Sequence, residues 1–214
     1  MTDPVRERLG FVAQTPDLFE WMGVVEMLQT IGSAYPRWRE DRALALASQL
    51  DLPLLGNVGK LSGGDQQKLS VVLALAHDPD VLLLDEPVSS LDPMTRREFM
   101  RALFTSPLAR DNAPGQPERE RTIIISSHLL ADLERVVTHV AFMRQGRIQL
   151  FDAWDALLEH LRLLPLTQVT AHTLGVLCTN PQTQTCVLDC RLSPQHAHAG
   201  RAMALDELFV ELNV

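Results

Sequence analysis

An apolar run, Val81-Leu82-Leu83-Leu84, ends on two adjacent carboxylates, Asp85 and Glu86, followed by Pro87. In open α/β sheets ligands bind at the carboxyl ends of the strands, which is where a metal-bound phosphate would meet such acids. Successive strand residues point to opposite sides, so one of the pair can serve Mg²⁺ while the other addresses a water. Taken alone, such a pair is more often a turn cap and a solvated loop residue. A second candidate is Leu61-Ser62-Gly63-Gly64-Asp65-Gln66-Gln67-Lys68. A serine and two glycines opening a helix offer a hydroxyl, bare backbone N–H groups and the positive end of the dipole, which suit a phosphate. A plain serine cap explains the same residues equally well. Three further points complete the set: Ser89-Ser90-Leu91-Asp92-Pro93, Ser126-Ser127-His128, and Gln14 after Phe11-Val12-Ala13.

These residues need elements to hold them. Val81–Asp85 and Thr122–Ser126 are apolar without alternation, as strands covered on both faces of a parallel sheet are. Val140–Met143 and Arg147–Phe151, pivoting on Arg144-Gln145-Gly146, read as a hairpin at the sheet edge. Leu69, Val72, Leu73 and Ala76 repeat at helical spacing, as do Leu129, Leu133, Val136 and Val137. Two earlier helices are expected near Trp21–Gln29 and Trp38–Leu50, the second stopped by Asp51-Leu52-Pro53. Strands alternating with helices predict an α/β fold. Ser106–Arg121, rich in proline and charge, reads as a surface loop without chemistry. Beyond Pro165 the pattern weakens until Leu205, Leu208, Phe209 and Leu212 mark a final helix, with Asp206, Glu207 and Glu211 on its other face.

Taken together and in this order, the motifs resemble the ATP-binding cassette family, the nucleotide-binding subunits of ABC transporters. Gln14 stands as the Q-loop, Leu61–Lys68 as the signature, Val81–Glu86 as the Walker B strand, Ser90–Asp92 as the D-loop and His128 as the H-loop. The resemblance covers about Leu9 to Leu161. It implies a P-loop NTPase-like parallel sheet with a helical signature subdomain at about 21–77, a partial ATPase domain over 1–164 and a C-terminal extension over 165–214. It implies ATP and Mg²⁺ as cofactors, with Asp85 helping to hold the metal through water, Glu86 polarising the attacking water, His128 contacting the γ-phosphate, and Gln14 touching Mg²⁺ or the water and coupling to the permease. Ser62, Gly63 and Gly64 would cap ATP held by a second cassette, in a homo- or heterodimer, and Asp92 would link the two sites. A separate membrane permease would do the transporting, which places the chain in the cytoplasm against the inner face of the membrane. Histidine after the last catalytic strand argues against the DNA-repair branch of the superfamily.

The family grips phosphate with G-x-x-x-x-G-K-S/T, whose lysine reaches the β and γ phosphates. The chain has 19 Lys and Arg, of which only Lys60 and Lys68 are lysines. Lys68 follows Gln67. Lys60 follows Gly59 but precedes Leu61 and lacks the first glycine, for Leu54 stands there. The motif is therefore absent from these 214 residues. In the family it precedes the Q-loop, so the expectation is a cassette lacking its front, with uncovered apolar surface on the remaining sheet, weak ATP binding and no unaided turnover. The alternative is a non-catalytic partner or gene fragment that offers only the signature helix to another cassette.

Composition agrees with a globular α/β chain: 46% hydrophobic, 21% charged and a formal net charge of −8, which lacks the basic footprint of a nucleic-acid binder. Three cysteines and no leader-like segment argue for a reducing compartment. Cys186, Cys190, His196 and His198 invite zinc. In an extended strand, however, residues four apart lie about 13 Å from each other, too far to share an ion. Cys186, Leu188, Cys190 and Leu192 read instead as one apolar face. Trp21, Met22, Val25 and Leu28 suit either core or a surface that receives a permease helix. Asp65 and Gln66 are expected to face outward with little effect.

Overall fold

The computed structural model describes residues 3–89, 91–104 and 121–213. Most of the expected loop at 106–121, and Ser90 of the expected D-loop, lie outside them. The chain divides into two compact units, Met1–His128 and Leu129–Val214.

In the first unit, α1 (Asp3–Arg6) leads into β1 (Leu9–Val12), followed by α2 (Val24–Gly32), α3 (Glu40–Gln49), α4 (Gly63–Ala76), β2 (Val81–Asp85), α5 (Pro93–Phe104) and β3 (Thr122–Ser126). The strands form a parallel sheet of order β1-β2-β3, with Val12 opposite Leu84 and Asp85 opposite Ser126. Gly10 makes the close packing of α4 on this sheet possible, for a Cβ there would stand 2.6 Å from the Ala74 carbonyl oxygen. The helix is not the one-sided stripe expected. Leu69, Val71, Val72, Ala74, Leu75 and Ala76 are all buried, because α2 and α3 pack on it as well as the sheet. Beyond its C-terminus, Asp78 accepts from Arg121 at 2.7 Å and pairs with Arg42 at 3.3 Å.

The sheet is covered on one face only. Val12, Leu82 and Leu84 are buried, whereas Phe11 is 60% and Ile124 56% exposed on the other side. The three-strand row Phe11, Leu83, Ile124 is in register. The expectation of strands covered on both faces is corrected here, and the expected uncovered apolar surface is present among the described residues.

In the second unit, α6 (Leu130–Leu133) is a single turn rather than the helix expected to Val137. β4 (His139–Arg144) and β5 (Arg147–Ala153) form the predicted hairpin, with Gln145 and Gly146 both at positive φ as a type I′ turn requires. It is a sheet of its own, not an edge of the parallel one. α7 (Trp154–His160) follows. Then β6 (Leu161–Pro165), β7 (Val176–Asn180) and β8 (Thr185–Asp189) make an antiparallel sheet of order β6-β8-β7, and α8 (Leu205–Leu212) closes the chain. Cys186, Leu188 and Cys190 pack with Leu164 in an apolar cluster, so the alternating face is core, although Leu192 is exposed. On α8 the expected faces are partly exchanged. Glu211 is buried and accepts a hydrogen bond from Asn180 Nδ2 at 3.3 Å, while Phe209 is 44% exposed.

Candidate functional site

Because the three strands are parallel, their last residues share one edge of the sheet. Gln14 lies just beyond β1, Asp85 ends β2 with Glu86 next in the chain, and His128 lies just beyond β3, so the register brings four of the predicted site residues to one edge. α4 runs back along the sheet from that edge. Gln67, near its start, meets Ala13, and His77, at its end, meets Leu9. Ser62 therefore lies at the same edge of the unit as Gln14.

The centre of the site is the acid pair and its clamp. Ser126 Oγ donates to Asp85 Oδ1 at 2.5 Å and accepts from the Glu86 backbone N–H at 3.1 Å. Glu86 has a φ of 46°, a left-handed conformation that glutamate seldom adopts. Hydrogen bonds from its own N–H to the Ser126 carbonyl, and from the Ser89 hydroxyl to its carbonyl, hold it there. The bend turns the Glu86 side chain to His128, whose Nδ1 lies 2.8 Å from Glu86 Oε2. The imidazole is largely exposed and the carboxylate mostly covered. Sequence reading named Ser126 only as the end of a strand. Its role depends on the pairing of Asp85 with Ser126, a register that no local pattern encodes.

Ser62 is the N-cap of α4, accepting from the Asp65 N–H at 3.1 Å and donating to Asp65 Oδ2 at 2.7 Å. The plain cap reading is thus realised, and Asp65 is not idle: it also pairs with Lys68 at 3.2 Å. Gln66 Nε2 donates to the Val58 carbonyl at 3.3 Å. The expectation that both side chains face outward is corrected; they tie the helix start to itself and to the preceding turn. Gly63 keeps its N-terminal backbone open, since a Cβ there would meet nothing within 4 Å. Asp92 caps α5, accepting from Met94 N, Thr95 N and the Thr95 hydroxyl. The Thr95 hydroxyl bond, with the backbone donors, holds its carboxyl below the usual range.

The structure thus brings Glu86 and His128 into contact and places Asp85 and Gln14 on the same edge. Asp92 is committed to its own helix. Among the described residues no group of three or more His, Cys, Asp and Glu is arranged to hold a metal ion by itself. Asp85 and Gln14, both exposed, supply the hard oxygen donors that suit Mg²⁺, an ion that takes one or two protein oxygens and fills the rest with water and phosphate. The donor set fits that ion and the terminal phosphate. The pattern G-x-x-x-x-G-K-S/T does not occur in these 214 residues.

Comparison with known proteins gives consistent results. A sequence model of the ABC transporter family matches residues 1–89, and one described as an AAA domain, putative AbiEii toxin, Type IV TA system, matches residues 56–131. The chain is 32% identical over 168 residues to the molybdenum import ATP-binding protein ModC of Mesorhizobium japonicum, covering 75% of this chain and 42% of that one. It is 32% identical over 152 residues to the energy-coupling factor transporter ATP-binding protein EcfA2 of Staphylococcus aureus, covering 68% and 50%. With the nickel import ATP-binding protein NikO of Rhodobacter capsulatus it shares 34% over 172 residues, covering 75% and 65%. The chain thus spans 42–65% of the length of these relatives. Among solved structures, an ATP-binding subunit of an ABC transporter superposes with a TM-score of 0.69 at 21% identity over 99% of this chain and 71% of that one. A bacterial ABC transporter cassette solved as a dimer gives 0.58 at 22%, over 70% and 65%.

Proposed function

Since this chain belongs to the ABC transporter family of ATP-binding proteins, we propose that it supplies the hydrolytic edge and the signature helix of a cassette that couples ATP to transport by a separate membrane permease. The observation that carries this reading is the Glu86–His128 contact at the end of β2, beside the ends of β1 and β3. An acid held in a left-handed bend against an imidazole serves no evident packing purpose, whereas it suits activation of a water.

Mg²⁺–ATP, when bound, supplies an electrophilic terminal phosphoryl group, and the protein's task is positioning and charge stabilisation. Glu86 orients the attacking water and accepts its proton at a carboxylate oxygen. His128, held against Glu86 through Nδ1, keeps its second ring nitrogen, Nε2, for a phosphate oxygen. Asp85, its carboxylate steadied by Ser126, and Gln14 hold the metal side. Ser62, Gly63 and Gly64 present the signature N–H groups to nucleotide on a second cassette, where the open space in front of Gly63 supports a close approach. Asp92, by fixing the start of α5, keeps the linking loop in place.

For the permease we assign the exposed apolar group Phe19, Trp21, Val25 and Leu55. Trp21 is 71% exposed, whereas Met22 and Leu28, read with it from the sequence, are core. No helix among the described residues is long and apolar enough to cross a membrane. In family terms residues 1–164 form the cassette portion and 165–214 an extension.

The test is nucleotide binding and turnover with and without a second polypeptide that carries G-x-x-x-x-G-K-S/T. Alone, the chain binds ATP at millimolar or weaker affinity. With the complement it hydrolyses ATP, and Glu86→Gln lowers kcat at least 100-fold while nucleotide remains bound. Turnover insensitive to Glu86→Gln overturns the catalytic reading and leaves the signature-donor alternative.

A further inference from the structure

The side chain of Gln67, on α4, reaches the loop carrying Gln14. It is 1% exposed, and its Nε2 donates to the Ala13 carbonyl at 3.2 Å. Ala13 follows the last residue of β1, and the ladder to β2 ends with Val12 opposite Leu84. Its carbonyl therefore lies past the strand, and the amide of Gln67 takes the place a neighbouring strand would have filled. A glutamine is an expensive choice for a helix buried among leucines and valines unless its amide is used.

From this placement we propose that Gln67 is a positioning residue for Gln14. By clamping the carbonyl one residue upstream it fixes where the Q-loop leaves the sheet. Because Gln67 lies one turn beyond Ser62 on the same helix, the clamp also makes Gln14 follow any movement of α4. The neighbouring attachments act in the same sense. Gln66 binds the Val58 carbonyl, and the backbone N–H groups of Val58 and Gly59 donate to the carbonyls of Met22 and Glu20, on the far side of the Q-loop. The chain around Gln14 is thus tied upstream to the signature helix by the Gln67 side chain, and downstream by backbone bonds to the turn at Val58 and Gly59 that Gln66 holds against the same helix. The functional meaning of the clamp rests on the role proposed for Gln14, but its existence can be tested without nucleotide.

Backbone ¹⁵N relaxation on the full chain reads the effect directly. Gln67→Leu keeps the volume and removes the donor; Gln67→Asn keeps the amide but is one methylene too short to reach Ala13. In the parent chain the order parameters of Ala13 and Gln14 match those of the strand, about 0.85. Both variants are expected to bring them towards the flexible range, below about 0.6, with Leu69–Ala76 unchanged. No fall at Gln14 in either variant overturns the proposal. So does a fall spread evenly along α4, which would mean that Gln67 is only part of the helix packing. ATP binding and turnover of the complemented cassette test the proposed function separately, so failure of one leaves the other standing.

Discussion

One serine hydroxyl fixes the acid pair. Ser126 donates to Asp85 and accepts from the N–H of Glu86, so its removal frees both residues at once. Ser126→Ala is expected to destabilise the chain by only about 1 kcal/mol in urea unfolding, because the site is near solvent, but to lower turnover of the complemented cassette more than tenfold. An equal proportional loss of stability and activity would reduce Ser126 to a packing residue. The carboxylates and His128 were legible in the sequence because their types and order are distinctive. Ser126 was not, since a serine at the end of a strand has many uses and only the register selects this one. The same holds for Asp65 and Gln66, whose partners lie on their own turn and on Val58.

At the scale of elements, α4 carries packing and the proposed signature role, and its glycine contacts separate the two. A methyl at position 10 would collide with the Ala74 backbone, which cannot give way as a side chain tip can. Gly10→Ala is expected to cost about 1–3 kcal/mol, read as a lower urea midpoint. Gly63→Ala meets nothing within 4 Å and is expected to leave the midpoint within about 0.5 kcal/mol. If Gly63→Ala nevertheless abolishes turnover in a cassette dimer, the loss comes from nucleotide approach and not from folding. The helix itself was legible from its serine cap and apolar spacing. That it is buried nearly all round was not, because which faces of a helix are covered is decided by the neighbours it meets. α8 makes the same point: the buried position of Glu211 depends on Asn180, 31 residues away in sequence.

For the whole molecule, the first unit contains a pH-sensitive joint. His77 ends α4, is buried against Tyr35 at a ring separation of 4.2 Å, and meets the Leu9 carbonyl at 3.3 Å. Burial, the dominant influence, pushes its pKa below the ordinary value of 6.5, against the raising effect of the nearby backbone of Leu73 and Leu9. The unfolded chain then binds the proton more readily than the folded one, so stability rises with pH between the two values. The contribution is complete above about 6.5 and is lost as the pH falls through the lower folded pKa. The urea midpoint should therefore drop between pH 7.5 and pH 5, and His77→Gln should flatten that drop whatever it does to the midpoint at pH 7.5. An unchanged slope would mean that His77 is not the titrating group.

By itself the sequence determined the fold class, parallel strands alternating with helices, and the serine that caps α4, and it singled out the residues proposed to hold a metal and activate a water. It also shows that the pattern G-x-x-x-x-G-K-S/T does not occur in these 214 residues, a matter of reading that needs no coordinates. Tertiary structure decided what those residues touch. Only the parallel register sets Asp85 beside Ser126 and brings Glu86 to His128, only the packing of α4 on β1 carries Gln67 to Ala13, and only the layering of the sheet leaves Phe11 and Ile124 exposed. The physical reason is common to all three. Residue type and local periodicity are properties of neighbours along the chain, whereas hydrogen-bond partners and buried faces are chosen among groups tens of residues apart, where the pattern around each one carries no address for the other.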